Sequence, residues 1–184
     1  MTRVQALMLA AAITLGLTPA LGRAASPDDA LTAKIGDAKH SLLDGIAQAE
    51  KANGAAISAK FELEDGKVML SVYTAKDGRE KDAEHNTLME LGGDATAVAW
   101  EPKSEVFGDK EHLTRAAMHL TVMQLTKLSL SDLIKKAGAA QKGTVYSAIP
   151  AVKNGKAIVE VLVATADKKG VALNLDAQTG KAVK

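Results

Sequence analysis

The sequence contains four histidines as its most versatile metal ligands, namely His40, His85, His112 and His119. His112 and His119 are seven residues apart, so a helix places both on one face, with Met118 and Met123 close by. Imidazole and thioether groups are ligands for copper, so the candidate metal site consists of His112, His119, Met118 and Met123. The alternative is an ordinary helix with exposed histidines and buried methionines, because methionine at helical spacing usually belongs to a core.

Other recognisable chemistry is missing from the sequence. It contains no cysteine, which excludes disulfides, thiol nucleophiles and zinc–thiolate sites. It lacks the short motifs of serine hydrolases, zinc peptidases and dinucleotide-binding proteins. Residues 138–144 resemble a phosphate-binding loop, but the lysine precedes the second glycine. The neighbouring acids Glu62, Glu64 and Asp65 are interpreted as solvated groups beside lysines. We therefore predict no enzymatic activity and no cofactor.

The composition is typical of a folded, soluble protein. Hydrophobic residues make up 47% and charged residues 24% of the 184 residues. Lysine and arginine total 23 against 22 acidic residues, a net charge of +1, which gives no electrostatic reason to bind nucleic acid. Aromatic residues are only 3%, too few for a stacking platform. These values predict that nucleic acid is not a partner.

The first 25 residues have the pattern of a secretory signal peptide. Arg3 supplies the positive start, residues 6–17 are apolar or small, and Pro19 interrupts the segment. The apolar run is shorter than the roughly 20 residues that a membrane-spanning helix needs. Cleavage fits after Gly22 or Ala24, and the alternative is an uncleaved anchor. We expect a periplasmic or secreted protein without stable membrane insertion after cleavage.

The next segment predicts a helix followed by antiparallel strands. Helix-start residues at 26–29 precede apolar residues at helical spacing from Leu31 to Ala49, and Asn53-Gly54 ends the helix. Asp65-Gly66 predicts a two-residue hairpin turn. The implied register joins four pairs: Leu63 with Val68, Phe61 with Leu70, Ala59 with Val72 and Ile57 with Thr74. The opposite face is expected to be solvated; it carries Ser58, Lys60, Glu62, Met69, Ser71 and Tyr73. Residues 87–91 and 96–100 are predicted as two more strands.

The same order of elements returns in the second half. Residues 113–127 are helical in pattern, Ser129 and Asp132 form a capping-box signal, and Asn154-Gly155 predicts a second hairpin turn. Matching residue i with residue i + 89 aligns both hairpins without a gap, which indicates an internal duplication. The predicted class is α+β, with two tandem units, each a helix or broken helix pair on about four antiparallel strands. The boundaries are residues 1–25 for the signal peptide, 26–102 for the first unit, 103–112 for a linker and 113–184 for the second unit.

The end of the chain resembles a PepSY domain. The segment Leu173-Asn174-Leu175-Asp176-Ala177-Gln178-Thr179-Gly180-Lys181 is similar to the closing motif of that family, and Asn154-Gly155-Lys156 is similar to its hairpin turn. The first unit departs from the motif, because Leu91-Gly92-Gly93-Asp94-Ala95-Thr96 stands in its place. The resemblance implies a helix-plus-sheet unit of the kind found in propeptides of thermolysin-type metallopeptidases, and an inhibitory or regulatory role toward peptidases. Paired units of this kind also look like β-lactamase inhibitor protein.

Apolar residues outside the predicted core indicate where a partner could bind. The second hairpin places Ile149, Ile158 and Leu162 on the face away from its core, which must be covered by the sister unit, a second copy or a partner. Pro150 lacks an N–H and therefore predicts a sheet edge or bulge. Trp100 and Phe107 flank the linker, either as a wedge between the units or as anchors for a partner. We predict an exported protein-binding module with an envelope protein, such as a peptidase, as partner, present as monomer or homodimer. The alternative is a periplasmic copper-type or small-ligand binding protein.

Overall fold

The computed structural model describes residues 27–183, which form four α-helices and one antiparallel sheet of eight strands. The predicted signal peptide, residues 1–25, lies outside these residues. The α+β class is confirmed. Among the described residues, no helix has the length and apolarity that a membrane crossing requires.

The sheet is continuous, and its strands follow the order β4-β3-β2-β1-β5-β6-β7-β8. The strands of the N-terminal half are β1 (Ala55–Glu64), β2 (Lys67–Ala75), β3 (Leu88–Asp94) and β4 (Lys103–Val106). Those of the C-terminal half are β5 (Thr144–Lys153), β6 (Lys156–Ala164), β7 (Gly170–Asp176) and β8 (Ala182–Val183).

The helix predicted from Leu31 to Ala49 is interrupted, so the expectation of one unbroken helix is wrong. It divides into α1 (Pro27–Lys34), a 3₁₀ turn (Ile35–Asp37) and α2 (Leu42–Asn53). Ser41 and Asp44 form a capping box at the N-terminus of α2. A new helix therefore begins within the stretch of helically spaced apolar residues. Gly54, with a φ of 87°, ends α2 as predicted.

Both hairpin turns are confirmed. Asp65-Gly66 and Asn154-Gly155 all have positive φ, as a type I′ turn requires. In β1 and β2 the three predicted pairs nearest the turn are present. The fourth pair is wrong, because a bulge at Ile57 lets Ala56 pair with Thr74 instead.

The last strand of the N-terminal half differs from the prediction. Residues 96–100 form turns and bends, because the Asp94 carboxylate accepts hydrogen bonds from the backbone and hydroxyl of Thr96 and closes a tight turn. The strand lies instead at Lys103–Val106. Residues 103–112, predicted as a linker, therefore form β4 and the start of α3 (Lys110–Gln124).

The two halves join edge to edge in the sheet. Strands β1 and β5 pair over two residues, Ala59 with Ala148 and Lys60 with Ser147. The ladder does not extend to Pro150, a residue that has no N–H to donate. Because β5 lies between β1 and β6, the sheet edge is the wrong one of the two places predicted for Pro150, which were an edge or a bulge.

Helices cover both faces of the sheet. Helices α2 and α4 (Leu130–Ala140) pack on one face and bury the main core there. Helix α3 crosses the other face over strands β1, β2, β3 and β5. The second face of β5 is therefore covered in part by α3, the helix that connects the two halves. The prediction had considered the sister unit, a second copy of the chain or a partner for this position, and did not include the connecting helix.

Candidate functional site

Helix α3 is held in place at both ends. Its first turn is capped by Asp109, whose carboxylate accepts hydrogen bonds from the N–H groups of Glu111 and His112. At the other end, the Arg79 guanidinium donates to the carbonyl of Leu128 at 2.7 Å, and the Gln124 amide donates to the carbonyl of Arg79 at 2.8 Å. The loop that follows β2 therefore fixes the end of α3 against the sheet.

Part of the sheet beside α3 is open to solvent. Alternate residues on one face of β1, β2 and β6 have partly exposed side chains there, and we call these residues the open face: Lys60, Glu62, Met69, Glu160 and Leu162. The open face therefore mixes charged and apolar side chains.

A shallow, open depression lies along the exposed side of α3, and we call it the α3 groove; its lining residues all belong to the helix and are Lys110, Glu111, Thr114, Arg115 and Met118. Arg115 forms an ion pair with Glu111 one turn earlier, with 2.6 Å between Nη2 and Oε1. Met118 is 37% exposed and supplies an apolar side chain to this surface. The groove therefore combines a charged wall with an apolar side chain.

A small cavity lies where α3 meets the sheet, and we call it the α3 cavity. Its volume is about 150 Å³, and its lining residues are Ser58, Lys60, Ser71, Tyr73, Arg115, His119 and Ile149. Arg115 lines both the groove and the cavity, so the two are adjacent. Ser58, Ser71 and Tyr73 are buried, which corrects the expectation that this whole face of the first hairpin is solvated.

His119 and Ser58 are joined by a hydrogen bond of 3.0 Å between Nδ1 and Oγ, and both residues are 2% exposed. Burial, with the positive charges of Arg115 and Lys60 as weaker causes, lowers the pKa of His119 from 6.5 to about 4. The imidazole is therefore neutral at neutral pH and a weak base. No carboxylate within the described chain is bonded to the ring, so the pair lacks the third group that orients a catalytic base.

Tyr73 forms the aromatic centre of the site. Its ring contacts Phe107 edge-on at 4.6 Å between centroids and lies 6.0 Å from the His119 ring. Burial, followed by the negative charge of Glu90, raises the pKa of the Tyr73 hydroxyl. The hydroxyl is therefore protonated at physiological pH and remains a hydrogen-bond donor.

The predicted partner-binding residues divide into two groups. Ile149 and Leu162 are partly exposed, the first in the α3 cavity and the second on the open face. Ile158, Trp100 and Phe107 are buried at 3%, 8% and 8% exposure, so as anchors for a partner they are corrected to core residues. Trp100 covers Gly93, and Phe107 packs on Tyr73.

The candidate metal ligands do not converge. Seven residues of helix separate His112 from His119 by about 10.5 Å along the axis. His112 is bonded to the Asp109 carboxylate at 2.6 Å and stacks on Phe107. Met118 is exposed and Met123 is fully buried, so they face different surroundings. Within residues 27–183, no cluster of three or more histidine or acidic side chains could hold a metal ion.

Sequence reasoning missed the cavity for a specific reason. Serines at alternate strand positions have the pattern of a solvated face, and Ser58 and Ser71 fit that pattern. Arg115 lies four residues before His119, so both project from the same side of α3. That spacing indicates that the two side chains lie together, but it does not show which strands the helix covers.

Comparison with known proteins assigns no family to the chain. No protein-family model matches it, and no curated protein matches it. A solved structure from Clostridium difficile 630, provisionally called a lipoprotein, is similar at 17% identity with a TM-score of 0.40. The similarity covers 80% of this chain and 92% of that one.

Proposed function

We propose that the chain is an exported protein-binding module of PepSY type, without catalytic activity, that restrains a peptidase of the cell envelope. The observation that carries this proposal is the α3 groove beside the open face. There a helix, fixed at both ends, borders a flat sheet surface of mixed charged and apolar side chains. A rigid surface of this kind loses little conformational entropy when a partner binds.

The groove supports binding because its apolar and charged groups are arranged as in a transient interface. Met118 on the helix and Leu162 on the sheet supply partly exposed apolar area. Arg115 lies beside Met118 in the groove, and Lys60 and Glu62 lie near Leu162 on the open face. Interfaces between proteins commonly combine an apolar centre with a polar rim, and methionine and arginine are enriched in them.

Export is supported by the sequence of residues 1–25, which has the order of a signal peptide. A periplasmic or secreted location follows from that proposal. Because the sequence contains no cysteine, the exported protein would be stabilised by packing alone, without disulfides.

The copper-type alternative receives no support from the geometry, because the four candidate ligands occupy different surroundings.

A capture experiment with matched variants tests the proposal. The immobilised protein, without its signal peptide, is incubated with a periplasmic extract, and retained proteins are identified by mass spectrometry. Met118→Asp places a charge in the α3 groove. Val98→Asp makes the same chemical change at a site that is 88% exposed, outside the residues lining the groove. We expect a peptidase to be retained by the wild type and by Val98→Asp and lost with Met118→Asp.

Two results would contradict the proposal. One is retention of the same proteins by all three forms, which would place binding elsewhere or make it unspecific. The other is the absence of any peptidase among proteins that depend on Met118. Inhibition is then measured directly, as the residual activity of the retained peptidase at increasing concentrations of each form.

A further inference from the structure

Strand β4 (Lys103–Val106) forms one edge of the sheet, and all four of its residues are exposed. Among the described strands it pairs with β3 alone, so its outer side presents backbone N–H and C=O groups without a strand partner. Edge strands are commonly protected from unwanted pairing by brevity and by charged side chains. Strand β4 has both properties, because it is short and carries Lys103 and Glu105. A strand of arbitrary sequence is therefore a poor partner for this edge.

The direction of the backbone groups in β4 follows from one hydrogen bond. The Phe107 N–H donates to the carbonyl of Leu88 at 3.1 Å, in register with the ladder between β3 and β4. Hydrogen-bonded pairs alternate along an antiparallel ladder, so every second residue counted back from Phe107 also bonds to β3. The residues between them, Ser104 and Val106, direct their backbone N–H and C=O groups outward.

The charged side chains of β4 lack partners of opposite charge. Lys103 and Glu105 lie on the same face of the strand, because they are two residues apart. In the described part of the chain neither side chain makes an ion pair or a hydrogen bond. Glu105 lies directly opposite Glu90 of β3, and like charges in such a pair destabilise a sheet. A cation placed beside Glu105 from outside the sheet would offset this repulsion.

A second β4 strand, running antiparallel to the first, supplies such a cation in one register. With the two Ser104 residues opposite each other, Lys103 of each copy lies opposite Glu105 of the other. The two Ser104 residues then exchange both backbone hydrogen bonds, and each Val106 N–H donates to the carbonyl of Pro102, which itself has no N–H to satisfy. The next register in which outward groups meet places Ser104 opposite Val106. It also places the two Glu105 residues opposite each other, which their repulsion disfavours.

We propose that two copies of this chain associate through β4, with a two-fold axis at Ser104 that extends the sheet across both copies. The charges that oppose an arbitrary strand are complementary to those of a second copy in this register, and this complementarity identifies the occupant of the edge. The strand is short, so the association is weak and depends on concentration. The inference does not rest on the proposed function. The residues that line the α3 groove begin at Lys110, outside β4, so each copy keeps its groove.

Charge reversal tests the proposal by sedimentation equilibrium of the chain without its signal peptide. The wild type is expected to form dimers as its concentration rises. Lys103→Glu places like charges opposite each other twice in the interface and should weaken association by about tenfold. Lys103→Glu/Glu105→Lys restores opposite charges and should recover the association of the wild type. Lys153→Glu makes the same change of net charge at an exposed residue of the second hairpin and should leave association unchanged.

An engineered disulfide tests the register, because the sequence contains no other cysteine. Ser104→Cys brings two thiols together across the two-fold axis. Residues of a hydrogen-bonded antiparallel pair have Cα atoms about 5.5 Å apart, within the range of a disulfide. Oxidation should therefore yield a covalent dimer on a non-reducing gel. Glu105→Cys is the matched control, because residue 105 lies opposite itself only in the disfavoured register, and it should cross-link more slowly.

The inference is overturned by a wild type that stays monomeric at every concentration, by equal weakening in Lys103→Glu and Lys153→Glu, or by a double reversal that associates no better than Lys103→Glu. Faster cross-linking of Glu105→Cys than of Ser104→Cys would overturn the register with its ion pairs. Circular dichroism verifies that each variant is folded. If Lys103→Glu does not fold, the contrast between the two cysteine variants still decides.

Discussion

Ala59 and Ala148 pair directly with each other where β1 meets β5, and they are also the residues that the 89-residue offset matches between the two halves. A position that pairs with its own counterpart lies on an axis of approximate two-fold symmetry. The strand order is consistent with such an axis, because it reads outward from this pair as β1 to β4 on one side and β5 to β8 on the other.

Other features correspond at similar offsets. The bulges fall between Ala56 and Ser58 and between Val145 and Ser147, which are 89 residues apart. Ser41 and Ser129 each begin a helix with a capping box. These correspondences are what a duplication would produce, and the duplication itself stays a prediction.

The seam between the halves can be tested by a disulfide, because the chain has no cysteine that could compete. Lys60 and Ser147 pair across β1 and β5, and paired strand residues have Cα separations in the range that a disulfide spans. We expect Lys60→Cys/Ser147→Cys to oxidise readily in the folded protein. The loop that it closes is long, so unfolding should become harder by about 4 kcal/mol. Urea denaturation of the oxidised and reduced forms measures the difference.

Glu64→Cys/Ser147→Cys is the matched control, because the β1–β5 ladder does not include Glu64. Equal oxidation of both double variants would show that the seam is not where the two-residue ladder places it.

Gly93 and Trp100 explain why the first half departs from the closing motif of the second. Gly93 in β3 pairs with Leu70, and Leu175 in β7 pairs with Val159, the residue that the 89-residue offset matches with Leu70. Gly93 and Leu175 therefore occupy matching strand positions in the two halves. A Cβ on Gly93 would lie 2.9 Å from Nε1 of Trp100 and 3.0 Å from the Pro102 backbone. The indole thus covers the space that a side chain at residue 93 would need.

Gly93→Ala is therefore expected to destabilise the fold by about 1–3 kcal/mol, the usual cost of overpacking. At the neighbouring Gly92, a Cβ would meet only the flexible end of the Glu90 side chain, at 3.3 Å, so Gly92→Ala should cost much less. Thermal unfolding of both variants checks this order. Equal losses of stability would contradict the packing of Trp100 on Gly93.

Local features of the fold could be predicted from the sequence, and global placement could not. Asp65-Gly66 and Asn154-Gly155 identify their turns because positive φ at both positions strongly limits the choice of residue. The interruption of the first helix was missed, although Ser41 and Asp44 carry the same signal that correctly placed the start of α4 at Ser129. The apolar spacing continues across Ser41 and hides that signal.

The burial of His119 gives a pH dependence of stability with a defined sign. Its pKa is about 4 in the folded protein and 6.5 when unfolded, so the unfolded chain takes up a proton first as the pH falls. The stabilisation is complete above pH 6.5 and is lost progressively down to pH 4, by about 3 kcal/mol in total. We expect His119→Gln to remove this slope in urea denaturation between pH 7 and pH 4.

His85→Gln serves as the control, because His85 is exposed and bonded only to Asp82. It should leave the slope intact. Below pH 4 both variants should still lose stability, because hydrogen bonds lower the pKa of several carboxyls, including Asp44 and Asp132, below 3.8. A slope that persists in His119→Gln would show that another group titrates in this range.

The candidate site illustrates what sequence patterns leave open. The residues of the groove are visible as a helix with charged and apolar positions, but a crossover helix can lie on either face of a sheet. Only the tertiary structure shows that α3 covers Ser58 and Tyr73 and leaves Lys60 and Leu162 accessible. Trp100 and Phe107 were candidates for an interface because tryptophan is frequent at binding hot spots, yet here both fill the core.

The central claim, that a protein partner docks in the α3 groove, is tested most directly by hydrogen exchange with and without the retained peptidase. We expect slower exchange of backbone amides in residues 110–118 of α3 and in residues 60–62 of β1, and no change in α2 and α4 on the opposite face. Protection confined to α2 and α4, or to the edge strands β4 and β8, would contradict it.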